Sequence, residues 1–263
     1  MKKKAYGKIN LSLRVYDKRE DGYHNIESLI TLVDIYDKMK FKKALETKVL
    51  VKKAKIKNNI VNKAIELIRE KYNLEESLEV KIKKRIPIGA GLGGGSSNAA
   101  CAINAMDELY GLNMSLSDKK ELAAQLGMDV AFFLENDTCL VSERGEVTKP
   151  TINPYVGYYC LLLFSDFSIS TREIYEAYVL REVHLENDLE SSYEATNSLL
   201  YREIQNIKKD LIDLNAAKAL MSGSGPTVYG LFEKKKDAKK AKKALKKKYN
   251  RTSLITKIIK SAQ

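Results

Sequence analysis

The sequence predicts strands and helices mixed along one chain, enough for one large domain or two ordinary ones. Three observations carry that expectation. The chain has 263 residues and is 44% hydrophobic, so a normal core can form and wholesale disorder is not expected. Residues 78–83 alternate apolar and charged side chains, as a strand does, and lead through a glycine-rich stretch into helix formers over 98–110. Pro150 and Pro154 mark the best candidate domain boundary, dividing the chain into residues 1–153 and 154–263.

Residues 4–16 read as the first strand. Ile9, Leu11, Leu13 and Val15 fall on one face, and Lys8, Asn10, Ser12 and Arg14 on the other. Taken alone, the polar face reads as the solvated side of an edge strand, although a lysine, an amide and a hydroxyl pointing one way could also line a cleft. Residues 19–25 form a turn carrying two adjacent rings, Tyr23 and His24. Strands are expected around 28–33, 38–42 and 49–51. Asn58 and Asn59 are placed to cap a helix over 60–72, in which Ile60, Ala64, Leu67 and Ile68 recur at helical spacing.

After the glycine stretch, the serine pair Ser96 and Ser97 is placed to cap the 98–110 helix, and Ser117 to cap another over 118–126 that ends at Gly127. Asp129 then stands between Met128 and a run of large apolar residues. Burying it is costly unless it is paired, and it reads equally as a helix cap or as a catalytic group. A hairpin around Arg144 and Gly145 and a buried strand over 158–164 come next. Helices over 171–181 and 193–214 precede a second glycine turn at 222–225 that enters a strand. A lysine-rich helix over 234–248 and a strand over 254–259 complete the chain.

Composition narrows the function classes. Lys+Arg number 46 against Asp+Glu 34, a net charge of +12 that suits phosphorylated or nucleic-acid partners. Lysine far outnumbers arginine, however, and in the lysine-rich helix Ala238, Ala241, Leu245 and Tyr249 recur at spacings of three and four. That is an amphipathic helix with a wet lysine face, without the interleaved aromatics or base-reading arginines of a nucleic-acid binder. No run approaches the roughly 18–20 apolar residues of a membrane span, and no signal-peptide core follows the basic start. Cys101, Cys139 and Cys160 are odd in number and embedded in apolar sequence, which reads as buried free thiols in a cytoplasmic protein. The only histidines are His24 and His184, and without a Cys-x-x-Cys pair they argue against structural zinc. No G-x-S-x-G elbow supports a serine hydrolase.

The stretch from Pro87 through Ile88, Gly89, Ala90, Gly91, Leu92, Gly93, Gly94, Gly95, Ser96 and Ser97 to Asn98, Ala99 and Ala100 holds five of the chain's 14 glycines. A glycine loop between a strand and a helix N-terminus lets backbone N–H groups approach an anion, favoured further by the helix dipole. No lysine follows as a Walker A loop requires. Gly89, Gly91 and Gly94 match the dinucleotide fingerprint loosely, but Asp107, at the distance of its acidic partner, falls inside a helical stretch.

Taken in order, these motifs resemble the GHMP kinase superfamily and, within it, the 4-diphosphocytidyl-2-C-methyl-D-erythritol kinases. Lys8-Ile9-Asn10-Leu11 matches the first motif, followed by Asp21-Gly22-Tyr23-His24; the 87–100 stretch matches the second, and Ser222-Gly223-Ser224-Gly225 the third. The resemblance implies a two-domain α+β fold, with an N-terminal mixed domain and a ferredoxin-like C-terminal domain. It implies transfer of a phosphoryl group from ATP, with Mg2+, to the 2-hydroxyl of a cytidine-diphosphate sugar alcohol in non-mevalonate isoprenoid synthesis.

By the same correspondence Lys8 and Asp129 are the catalytic pair, with Lys8 keeping the aspartate ionised. Pro87, Gly89, Ala90, Gly91, Leu92, Gly93, Gly94, Gly95, Ser96 and Ser97 hold the ATP phosphates. Asn10, Tyr23, His24, Thr171, Tyr175, Gly223 and Ser224 bind the acceptor, with Tyr23 and Tyr175 on opposite faces of the cytosine. Family members often carry phenylalanine at the Tyr175 position. Asn59, Lys83 and Lys84 are placed beside the adenine, and Ser97 is one candidate ligand for Mg2+. The rival readings are a GHMP kinase for a small unphosphorylated alcohol, and a nucleotide-binding regulatory or RNA-associated protein that has kept the fold and lost the chemistry. Asp21-Gly22-Tyr23-His24 argues against the first, and retention of both Lys8 and Asp129 against the second.

Overall fold

The computed structural model describes residues 1–52, 56, 59–165, 167 and 170–261. The first half contributes strands β1 (Lys2–Asn10), β2 (Arg14–Lys18), β3 (His24–Ala44), β4 (Lys48–Val51), β5 (Ser77–Lys83), β6 (Cys139–Ser142) and β7 (Val147–Pro150). Its helices are α1 (Ile60–Tyr72), α2 (Gly94–Tyr110), α3 (Leu116–Ala124) and α4 (Val130–Glu135). The second half contributes β8 (Tyr159–Leu163), β9 (Lys218–Met221), β10 (Val228–Phe232) and β11 (Ser253–Ile259), with α5 (Thr171–Glu176), α6 (Ser192–Thr196), α7 (Ser198–Asp213) and α8 (Lys235–Tyr249).

The sheet's main path runs β4-β5-β3-β11-β8-β10-β9, and β1, β2 and β6 also pair with β3. In the second half the spatial order β11-β8-β10-β9 arises from a β-α-β-β-α-β succession with every pair antiparallel, which is the ferredoxin-like arrangement. The expected α+β class is therefore present. β11 pairs with β3 through Ile258 and Ile259, so the two halves share one sheet.

Three buried clusters fill the molecule. One lies among β3, β5, α1, α2 and α4, and a second between the C-terminal strands and α7 and α8. The third contains Ile9, Leu11, Val33 and Leu92 from the first half together with Leu162, Tyr229, Leu231 and Ile258 from the second. Leu13 and Val15, early in the chain, belong to the C-terminal cluster.

Several local expectations need correction. The strands expected around 28–33 and 38–42 are one strand of 21 residues. Tyr6 pairs with Tyr36 and Gly7 with Val33, which leaves Asp34 and Ile35 without partners across β1. Over this irregularity the inward positions change from Ser28, Ile30 and Leu32 to Ile35, Asp37, Met39 and Phe41, so the period of two is interrupted and the pattern reads as two strands. α3 is capped by Ser115, not Ser117: the Ser115 hydroxyl accepts from Asp118 N–H, and the Asp118 carboxylate accepts from the Ser115 N–H in return. α5 stops at Glu176, and the helix expected over 193–214 breaks at Asn197, whose side chain caps α7 by accepting from Leu200 N–H at 3.0 Å. Asn59 caps α1, accepting from Val61 N–H at 3.0 Å, while Asn58 lies outside the described residues.

Candidate active site

β1 is covered on both faces, and this makes Lys8 an interior residue instead of a surface one. Lys8 and Asn10 are only 4% and 3% exposed, which rules out the solvated edge-strand reading. A buried ammonium must be paired. The Lys8 Nζ donates to Asn10 Oδ1 at 2.7 Å and lies 3.4 Å from Asp129 Oδ2. Asn10 in turn donates to Ser28 Oγ at 2.8 Å, which fixes the amide's orientation. Asp129 stands at the capping position of α4, yet its side chain makes no cap bond, and its half-exposed carboxylate turns to Lys8.

The glycine loop is fastened to this strand and to the second half. Lys8 N–H donates to Leu92 O at 3.0 Å, and Ser222 Oγ donates to Gly91 O at 3.1 Å. Gly91 and Gly93 have positive φ, +70° and +65°, and neither has room for a side chain. A Cβ on Gly91 would meet Ser222 O at 2.4 Å, and one on Gly93 would meet the Phe133 ring at 2.8 Å and Lys8 Cγ at 3.1 Å. α2 starts at Gly94, four residues earlier than expected, so Ser96 and Ser97 lie inside its first turn and do not cap it. Gly93, in the left-handed conformation, is the N-cap and supplies no side-chain acceptor, so the first-turn N–H groups of Gly94, Gly95 and Ser96 remain available to an anion. Pro87, Ile88 and Gly89 are exposed, Ala90 is buried, and Ser97 is buried beneath the turn.

The third motif closes the site from the other side. A Cβ on Gly223 would stand 3.2 Å from both Lys8 Nζ and Asn10 Oδ1, so this turn lies directly against β1. Thr171 and Ser224 bond hydroxyl to hydroxyl at 2.9 Å on the exposed rim. Asn187 escaped the sequence reading. It is buried and donates at 2.9 Å to both Met221 O and Gly223 O, holding the turn in place.

The β2–β3 hairpin presents His24. Its Nδ1 lies 2.9 Å from Tyr16 O, and a carbonyl only accepts, so Nδ1 carries the proton. The ring stands 5.9 Å from Tyr175 and 5.8 Å from Tyr178, centroid to centroid. Burial, and then the Asp129 carboxylate, push the Tyr175 hydroxyl up from its ordinary value, so it remains a donor near the Lys8–Asp129 pair. Tyr23 is 49% exposed, with the Arg144 guanidinium 5.4 Å from its ring centroid. The structure thus brings His24, Tyr175 and Asp129 together, whereas Tyr23 sits on the rim.

Next to the loop, a cleft of about 640 Å3 is lined by Asn59, Ile60, Asn62, Lys63 and Leu126. Ile60 connects it to the loop, 4.0 Å from where a Cβ on Gly95 would lie. Lys84 donates to Asp37 and, at 3.2 Å, to Asn98, and a Cβ on Gly94 would lie 3.2 Å from its Nζ. Lys83, at the exposed end of β5, pairs in register with Lys38. All three cysteines are buried and free, as expected. No described helix is long and apolar enough to cross a membrane.

Comparison with known proteins matches the GHMP kinases N terminal domain over residues 59–136 and the GHMP kinases C terminal domain over 181–251. A 4-diphosphocytidyl-2-C-methyl-D-erythritol kinase of Thermoanaerobacter pseudethanolicus is 39% identical over 272 residues, covering 95% of this chain and 93% of its own length. A crystal structure of a 4-(cytidine 5'-diphospho)-2C-methyl-D-erythritol kinase superposes with TM-score 0.83 at 27% identity, covering 98% of this chain and 99% of the other. A homoserine kinase from Cytophaga hutchinsonii superposes with TM-score 0.70 at 17% identity, over 99% and 96% of the two chains, a likeness of fold alone.

Proposed function

This chain belongs to the 4-diphosphocytidyl-2-C-methyl-D-erythritol kinase family of the GHMP kinases, and we propose that it performs that family's reaction. It phosphorylates the 2-hydroxyl of 4-diphosphocytidyl-2-C-methyl-D-erythritol with ATP as donor, a step in making isoprenoid precursors by the non-mevalonate route. The observation that supports this reading most is the Lys8–Asp129 pair, buried on the lysine side and open on the carboxylate side, between the glycine loop and the Gly223 turn.

In this reading the ATP phosphates lie on the backbone N–H groups at the start of α2, whose dipole favours negative charge. The acceptor oxygen attacks the γ-phosphorus, the bond to the β–γ bridging oxygen breaks, and ADP leaves. Asp129 takes the hydroxyl proton; because phosphoryl transfer is loose, little proton removal is needed early. Lys8, held by Asn10, neutralises charge on the transferring group and orients the nucleophile. His24 with Nδ1 protonated leaves Nε2 to accept from the cytosine amino group, while Tyr175 and Tyr23 offer stacking faces. Thr171, Gly223 and Ser224 border the acceptor's diphosphate.

Magnesium would supply charge neutralisation at the transferring phosphoryl group. Among the described residues no three His, Cys, Asp or Glu side chains converge to hold a metal; the ion would be held by the nucleotide's oxygens and water, or by these together with the Ser97 hydroxyl. The division at 153/154 assigns the donor loop and the catalytic pair to the first domain, and the 171–178 and 222–225 walls to the second. We further propose a cytoplasmic enzyme with a small-molecule acceptor and no nucleic-acid partner. α8 buries Ala238, Ala241 and Leu245 as a core helix does, which supports that view.

The test is an assay of purified protein with ATP, magnesium and a panel of alcohols. Phosphorylation of the cytidyl substrate, with mevalonate and homoserine left unchanged, is expected. Turnover of mevalonate or homoserine but not of the cytidyl compound would overturn the reading.

A further inference from the structure

We propose that Asp37 is a positioning residue for the ATP phosphates, because its single carboxylate ties down both ends of the glycine loop; this rests on the reading that the loop holds ATP. Asp37 is fully buried in β3, at an inward position of the series Ile35, Asp37, Met39 and Phe41. Its Oδ1 accepts from Arg85 N–H at 2.7 Å and Ile86 N–H at 3.0 Å, just before the loop. Its Oδ2 accepts from Asn98 Nδ2 at 3.0 Å, just after the loop, and from Lys84 Nζ. A carboxylate has about four lone-pair sites, and here all four are used.

The anchor itself is stiff. Asp37 pairs in register with Ala5 of β1, and its neighbour Lys38 pairs with Lys83 of β5, so sheet lies on both sides. Ile86, one end of the tie, packs beneath Gly94, where a Cβ would approach its side chain to 2.9 Å. Loop residues 87–97 are therefore strung between two points held by one group on a strand flanked by others. The four bonds to the Asp37 carboxylate all come from residues flanking the loop, so the clamp acts on the donor side of the site.

A buried charge set of this kind is costly to assemble and contributes little as a generic source of stability. Its use is geometric: the loop's N–H groups must stand where the phosphates arrive. Replacing Asp37 with asparagine keeps one oxygen for the Arg85 and Ile86 N–H groups but turns an amide against Lys84 Nζ and Asn98 Nδ2, donor against donor. The reciprocal exchange D37N/N98D restores complementarity and keeps the net charge.

The experiment measures affinity for a non-hydrolysable ATP analogue with magnesium by calorimetry, alongside KM for ATP and for the acceptor. D37N is expected to weaken nucleotide binding at least about tenfold, the loss expected for one misplaced buried hydrogen-bond set. The acceptor KM should stay within about twofold, and D37N/N98D should recover most of the nucleotide affinity. N98A, a milder cut of one tie, should weaken nucleotide binding a few fold and is the deciding variant if D37N does not fold. Unchanged nucleotide affinity in D37N or N98A, equal loss of both substrates, or an exchange variant no better than D37N would overturn the proposal. Because calorimetry needs no acceptor, failure of the cytidyl assignment would show in the wild-type assay and remain distinct from failure of the clamp.

Discussion

Asp129 occupies the capping position of α4 without capping it. Its carboxylate makes no cap bond, and an asparagine there keeps a side-chain oxygen for Lys8 while Asn10 still accepts from the ammonium, so Asp129→Asn should fold and lower kcat by at least about two orders of magnitude, the lower end for loss of a general base. Stopped-assay kinetics beside a thermal melt check this; near-normal kcat would remove Asp129 from the role. His24 commits Nδ1 to the Tyr16 carbonyl, and in the proposed reading its Nε2 meets the cytosine. His24→Ala is expected to raise KM for the cytidyl substrate and leave KM for ATP unchanged, a split that steady-state kinetics resolve. The cysteines are a different case. Burial pushes the Cys101 and Cys139 thiols up to about 12, and Cys160 further in the same direction. Unfolded thiols ionise near pH 8.5, so the fold gains from keeping these protonated, and that gain is lost as pH rises from about 8.5 toward 12. At pH 8 native protein should resist alkylation that denatured protein undergoes at all three sites, as mass spectrometry would read directly.

Among the elements, the loop–helix junction of α2 is where geometry is tightest. Gly93→Ala places a methyl 2.8 Å from the Phe133 ring at a φ that alanine resists. It should reduce kcat/KM for ATP by at least about tenfold, since the loop or Lys8 must shift, and nucleotide titrations against wild type would measure it. This junction was largely legible: the glycines, the preceding strand and the following helix all stood in the sequence. The serine pair was read as a cap because serine commonly is one; a helix whose N-terminus is reserved for a ligand has no use for that bond. The long strand β3 was read as two because Asp34 and Ile35 break the alternation. The same irregularity hid Asp37, although an acid in phase with Ile35, Met39 and Phe41 was a readable signal of a buried tie. Lys8 looked like surface in isolation because strand periodicity cannot say that both faces of β1 will be covered. Asn187 left no local signal, since its partners at 221 and 223 lie more than thirty residues on.

At the scale of the molecule, the third core joins the halves through Ile9, Leu11 and Leu92 on one side and Leu162, Tyr229 and Leu231 on the other. Residues 154–263 expressed alone would expose that face, at about 25 cal/mol per Å2 of apolar area. The fragment should bind a hydrophobic dye and melt without a cooperative transition, whereas the full chain should melt as one unit. Calorimetry and dye titration would show otherwise if the proposed second domain folds independently.

The β2–β3 hairpin and the turns at Gly91 and Gly223 differ in how much change they tolerate. A Cβ on Gly91 would meet the Ser222 carbonyl at 2.4 Å, and Gly223 holds a positive φ of +59° tightly against Lys8 and Asn10, so both turns resist substitution. Tyr23 stands on an exposed hairpin, tied to its surroundings by little more than Arg144 and its own turn. If that turn reads the acceptor as proposed, a lineage of such enzymes can explore new acceptors by redrafting it while the proposed machinery of transfer is inherited unaltered, and gene duplicates would diverge first at that turn.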